Sequence, residues 1–264
     1  MKQFVFLLLL VPTIIFSQNK LDRAKDKLKE KPKTTRNKGK QNVNSSDDAS
    51  IGEFGRSFLV SLFGDLIFKP LFNATIGYFE ERDLNPYPYF YKGEGEYAKE
   101  LSDTGRKQNL RLGTNYLFDH INVFELNALY KPLPVLGIKA SYLHFSEEGR
   151  VNSSALDVTS LSINYHRIRE KNITIWFGMG ATYVGNEVND LGFTYNLGTE
   201  IYPFKPLSFH VSWQESYINA RDIQVLKFQL KYHLKNKTIY TGYHAHEIAG
   251  EGGKGPVIGF EITF

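Results

Sequence analysis

The chain has 264 residues, is 42% hydrophobic and 14% aromatic, carries a formal net charge of +4 and contains no cysteine. Its length suits one large domain, and the missing cysteine excludes a disulfide framework, a thiolate metal site and a lipidated cysteine. The positive charge is local: residues 19–40 hold eight Lys and two Arg against two Asp and one Glu, which leaves the rest of the chain net negative.

The chain opens MKQFVFLLLLVPTIIFSQ, a lysine followed by an apolar run from Phe4 to Phe16 and then Ser17-Gln18. That is the pattern of a secretory signal peptide over residues 1–17, removed near Gln18. The run is broken by Pro12 and falls short of the ~20 residues that a transmembrane helix requires. Residues 18–50 are rich in lysine and almost free of large apolar side chains, so they are expected to form a basic, disordered periplasmic linker. Such a tail could meet anionic lipid or a cell-wall polymer. It has no interleaved aromatics, so nucleic acid is not an expected partner.

Residues 51–107 admit two readings. In RSFLVSLFGDLIFKPLF (56–72) the apolar residues recur at helical spacing and stop before Pro70, which predicts a short amphipathic helix. Alternatively FNATIGYF (72–79) and YFYKGEGEY (89–97) are two extra strands.

From residue 108 to 264 the pattern has period two. In LGFTYNLGTEIY (191–202) Leu191, Phe193, Tyr195, Leu197 and Ile201 share one face, opposite Gly192, Thr194, Asn196, Gly198 and Glu200. ITIWFGMGATY (173–183), LSFHVSWQ (207–214), LKFQLKYHL (226–234) and NLRLGTNYLF (109–118) divide in the same way. One face is greasy and aromatic; the other mixes glycine with Thr, Asn, Gln, His, Lys and Glu. A soluble β-sandwich also alternates, but a greasy exterior around a polar interior is the layout of a barrel in lipid. The fold expected is therefore all-β, a transmembrane antiparallel β-barrel of ten strands, or twelve if 72–97 adds two. Ile175, Phe193, Leu197, Phe228 and Phe260 should face lipid, and Thr174, Asn196, Gln229 and Glu261 the lumen. KPLP (131–134), REKN (169–172), PFKP (203–206) and KNK (235–237) read as tight turns at one end. SEEGRVNSS (146–154), GNEVND (185–190), INARD (218–222) and IAGEGGKG (248–255) read as longer loops at the other.

The final stretch GPVIGFEITF (255–264) places Ile258, Phe260, Ile262 and Phe264 on one face and Val257, Gly259, Glu261 and Thr263 on the other. With the signal peptide and the alternating strands, this chain resembles the outer-membrane β-barrel proteins of Gram-negative bacteria, whose last strand commonly ends in phenylalanine. The resemblance implies residence in the outer membrane, contact with its lipid, and recognition of Phe260, Ile262 and Phe264 by the barrel-assembly machinery. It names no activity.

Three sets of residues stand out on the polar face. Glu200, His210, Lys231, His233 and Glu261 should fall in one half of the lumen as a paired cluster that plugs it. His244 and His246, two apart on a strand, are a candidate metal pair, although a narrow barrel must fill its interior with paired polar groups in any case. His210 and Ser212 with a nearby Glu have the residue types of a serine hydrolase, without a nucleophile-elbow sequence. The leading expectation is a non-enzymatic barrel without cofactor, serving as structural element, anchor or narrow pore. A lipid-modifying outer-membrane enzyme and a secreted soluble β-sandwich or barrel that binds a ligand are the alternatives.

Overall fold

The computed structural model describes residues 19–30, 108–133, 135–148, 153–170, 172–219 and 221–264. The expected signal peptide, the helix at 56–72 and the two extra strands lie outside these residues. Ten strands follow one another: β1 Asn109–Leu117, β2 Ile121–Leu133, β3 Leu136–Glu148, β4 Ser153–Glu170, β5 Ile173–Val184, β6 Asp190–Phe204, β7 Leu207–Ile218, β8 Arg221–Leu234, β9 Lys237–Ile248 and β10 Glu251–Thr263. Each pairs with its sequence neighbours, and β10 returns to β1, so the sheet closes into a barrel without edges. Phe264 finishes the closing seam: its N–H donates to the Leu110 carbonyl at 2.8 Å and its own carbonyl accepts from Leu110 N–H at 3.1 Å.

Period-two alternation sorts the side chains as the sequence requires. Thr174, Asn196, Gln229 and Glu261 are buried inside, while Phe193 and Phe228 are exposed outside. Leu197 and Phe260 share that outward phase at intermediate exposure, and Ile175, also outward by phase, is largely covered. Buried polar groups within exposed apolar ones invert the soluble arrangement. The soluble-sandwich alternative therefore fails: there is one closed sheet rather than two packed ones, and its outer face is apolar.

Two aromatic rings lie flat inside because a glycine faces each across the ladder. Trp176 pairs with Gly198 and Tyr240 with Gly259. A Cβ added at Gly198 would fall 2.3 Å from the Trp176 ring, and one at Gly259 2.2 Å from that of Tyr240.

The two ends of the barrel differ. The terminal end carries Asn109, Phe264 and the β2–β3, β4–β5, β6–β7 and β8–β9 turns; the loop end carries the other connections. Some outward positions near the loop end are polar: Asp157 accepts from the Tyr142 hydroxyl at 2.8 Å and meets His144 Nδ1 at 2.6 Å, and Gln224 donates to Asp222 at 2.8 Å, whereas Leu191, Phe193 and Tyr183 are exposed and apolar there. The longest strand, β4, has 18 residues, more than the ~9 to 11 that a bilayer crossing needs.

The loop-end connections are tighter than the sequence suggests. Residues 251–255, read above as loop, belong to β10, and the β9–β10 link is reduced to Ala249 and Gly250, both at positive φ (51° and 83°). Paired positive φ values make a two-residue hairpin whose twist matches its strands. The glycines that suggested a loop serve close approach instead: a Cβ at Gly255 would sit 2.5 Å from the Phe118 carbonyl oxygen in the β1–β2 link.

The largest departure is at Lys20–Lys29, expected to be disordered and found as a helix, α1, lying across the loop end. Leu21, Ala24 and Leu28, at i, i+3 and i+7, fall on one face, and each is at most 1% exposed. They pack on an apolar tier of luminal side chains that includes Leu117, Val123, Phe145, Val184, Ile223 and Val257. Ten residues are too few for a stable helix in water, so this packing is what holds it. Because α1 covers the loop end, Glu30 and Asn109 lie at opposite ends of the barrel.

Candidate functional site

The lumen is filled in tiers. Nearest the terminal end, Arg111 of β1 reaches Glu200 of β6 and Glu261 of β10, both at 3.3 Å. Lys231 of β8 reaches the same two carboxylates at 3.6 and 3.5 Å. Two cations and two carboxylates thus form a closed, charge-neutral square. Glu200 also accepts from the Ser208 hydroxyl at 3.0 Å. His233 bridges Ser208 at 2.7 Å and Thr238 at 3.1 Å. All five residues singled out in the sequence meet in this half of the lumen, and Arg111 joins them. Closure places it there: β1 lies beside β10, with Arg111 opposite Thr263.

In the middle tier Lys227 pairs with Glu125, which also accepts from Asn115 at 2.9 Å, and Asn115 donates to Tyr240 at 3.2 Å. Lys139 reaches the Gln214 amide oxygen at 3.5 Å. Above them Ser160, Thr182, Ser216 and Thr194 form a chain of hydroxyl contacts at 2.7, 2.9 and 2.8 Å. The apolar tier and α1 complete the filling at the loop end. Buried polar groups need such partners, because an unpaired one costs free energy in a dry interior.

His244 and His246 are both buried with ring centroids 5.8 Å apart, and His244 Nε2 contacts Gln229 at 2.9 Å. Among the described residues no three His, Asp or Glu groups converge on a position that could hold a metal ion. The pair thus lacks the third ligand that a metal site needs. His210 Nε2 lies 3.1 Å from Ser212 Oγ, but its Nδ1 is 3.9 Å from Glu200, beyond hydrogen-bond reach. Glu200 is already engaged by Arg111, Lys231 and Ser208. Both His210 and Ser212 face the lumen.

The α1 seat is built as closely as the lumen. Glu147 of β3 accepts from the backbone N–H groups of Lys20 and Leu21 at 3.2 and 2.7 Å, capping the positive end of the helix. Asn219 donates to the Leu28 carbonyl at 2.8 Å at the other end. Lys25 and Lys29 pair with Glu187, and Arg23 and Lys27 pair with Glu251. The basic stretch therefore meets acids of its own barrel.

The pH response of the seat follows. A hydrogen bond from Ser154, helped by Lys25, holds the Asp22 carboxyl below its ordinary range, and hydrogen bonds from Lys29 and Lys25 do the same for Glu187. Groups with lowered pKa values favour docking above the ordinary carboxylate range and lose that contribution as pH falls through their lowered values. Acidification should therefore loosen α1. A spin label at Asp26→Cys, unique in a chain without cysteine, should gain mobility in acid; constant mobility down to the pH at which the barrel unfolds would contradict this.

No family model and no curated protein matches the chain. Among solved structures it is similar to the N-terminal β-barrel domain of OprF from Pseudomonas aeruginosa, at 11% identity and TM-score 0.32 over 59% of this chain and 97% of that one. It is also similar to the outer membrane protein Ail of Yersinia pestis, at 11% identity and TM-score 0.35 over 60% of this chain and 98% of that one, and to the porin NanC, at 8% identity and TM-score 0.34 over 59% and 98%.

Proposed function

We propose that this chain is a non-enzymatic outer-membrane β-barrel whose lumen is closed, a structural element or membrane anchor rather than an open pore. The observation that carries this reading is the double closure: α1 seals the loop end through an apolar seat, and the Arg111, Lys231, Glu200 and Glu261 square fills the terminal end. A general diffusion pore keeps a water-filled channel, whereas here hydrogen-bonded and ionic side chains bridge opposite walls. The apolar belt supports contact with membrane lipid. The β10 strand with Phe260, Ile262 and Phe264 is the part offered to the assembly machinery, and removal of residues 1–17 would place the new N-terminus just ahead of α1. The test is planar-bilayer conductance of the purified full-length barrel, with its mature mass and membrane fraction determined in parallel. Silence in the bilayer is the expected result, and steady open-channel current from the unmodified protein would overturn the reading.

A further inference from the structure

Between the ionic square and the middle tier lies a cavity of about 80 Å³, room for a handful of water molecules. Around it Arg111 and Lys231 face Glu200 and Glu261, Lys227 faces Glu125, and the buried Lys131 is a further cation in the wall. Lys139 lines it as well. Its ammonium reaches only a neutral amide oxygen, and among the described residues no carboxylate lies within salt-bridge distance of it. A second unfilled group lines the same cavity. His166 is 2% exposed, yet neither ring nitrogen has a hydrogen-bond partner among the described residues. Its Nε2 lies above Gly137, where an added Cβ would stand only 3.1 Å from it; Gly137 shares the luminal face of β3 with Lys139. Trp176 stands between His166 and His210, with centroid distances of 5.6 and 5.3 Å, so both imidazoles lie against its ring in tilted contacts.

The Lys139 ammonium is part-buried and has no carboxylate in contact among the described residues to balance it, and an imidazole always has at least one N–H to donate. We infer that the cavity is a binding site for a small inorganic anion, held by Lys139 with His166 as a hydrogen-bond donor and Trp176 as its wall. The volume suits chloride, nitrate or phosphate. The site does not depend on whether the barrel conducts: a closed barrel would hold the anion as an internal counter-ion, and an open one would pass it.

Trp176 is the reporter. The chain has two tryptophans, and the other, Trp213, is on the outward face, so Trp213→Phe leaves a single luminal fluorophore. In that background, iodide added to the full-length barrel in detergent should quench Trp176 along a saturable curve, and chloride or phosphate should displace it. Lys139→Gln should weaken the saturable phase at least tenfold, and His166→Phe should weaken it less. Linear, non-saturable quenching that is identical in Lys139→Gln would overturn the proposal. If Lys139→Gln does not fold, crystals of the unmodified protein soaked in bromide decide the matter: an anomalous peak beside Lys139 and Trp176 supports the site, and peaks confined to the outer surface sink it.

Discussion

Replacing Arg111 with methionine should destabilise the barrel by about 3 to 5 kcal/mol, the usual effect of removing one partner from a buried ionic cluster. Arg111 contacts both Glu200 and Glu261 at 3.3 Å, closer than Lys231 does. Its loss leaves two carboxylates facing one ammonium across a narrow interior, where the excess charge is poorly screened. Lys231→Met should act in the same direction with a smaller effect, because the guanidinium that bridges both carboxylates remains. The cluster reading makes a sharper demand on the double variant. Arg111→Met with Glu261→Gln restores neutrality with Lys231 against Glu200, and should recover much of the loss. Heat-modifiability on a detergent gel measures the ranking: the single Arg111 variant unfolds at the lowest temperature, and the double variant above it. Equal shifts for single and double variants would mean that the contacts are incidental and that Arg111 matters only for its volume.

How much of this arrangement could be read from the chain differs between its parts. Alternation in 109–264 gave the strands, the phase and the polar interior, because period two is a local property visible within each segment. It also brought Glu200, His210, Lys231, His233 and Glu261 together, since consecutive hairpins fix which strand ends are neighbours. Arg111 was missed for a non-local reason. It sits on the inward phase of NLRLGTNYLF, but its partners are on strands six and ten, and only closure of β1 on β10 brings them within reach. The stretch 248–255 is ambiguous in the sequence because glycine marks both flexible loops and positions of close approach, and the carbonyl of Phe118 decides for the second. The helix at Lys20–Lys29 is the instructive failure. Its composition is that of a disordered tail, with only Leu21, Ala24 and Leu28 to bury. Those three fall at helical spacing, and that was the available signal. What composition cannot express is that the apolar seat and the acids Glu147, Glu187 and Glu251 are supplied by the far end of the barrel, so that a segment unable to fold alone folds against it.

The second large effect is expected at that seat. Burying a leucine contributes roughly 1.5 to 3 kcal/mol, whereas the solvent-screened ion pairs of Lys29 and Arg23 contribute little. Leu21 and Leu28 therefore supply most of what holds α1, and Leu28→Ala alone should cost about 2 to 5 kcal/mol, including the cavity it leaves. Leu21→Asp with Leu28→Asp goes further, since it would bring two carboxylates into a tier lined by Val123, Phe145 and Ile223, and α1 should detach altogether. Its detachment should be visible as free motion of the label at Asp26→Cys and as cleavage by trypsin at the newly accessible Lys25 and Lys27. Conductance should nevertheless stay low, because two closures in series must both open before ions pass, and the ionic square at the terminal end is untouched by this change. Current is expected only when the detached helix is combined with loss of the square, as in Leu21→Asp and Leu28→Asp together with alanine at Arg111, Lys231, Glu200 and Glu261. If the detached-helix variant conducts by itself, the square does not close the terminal end, and α1 is the barrel's single gate.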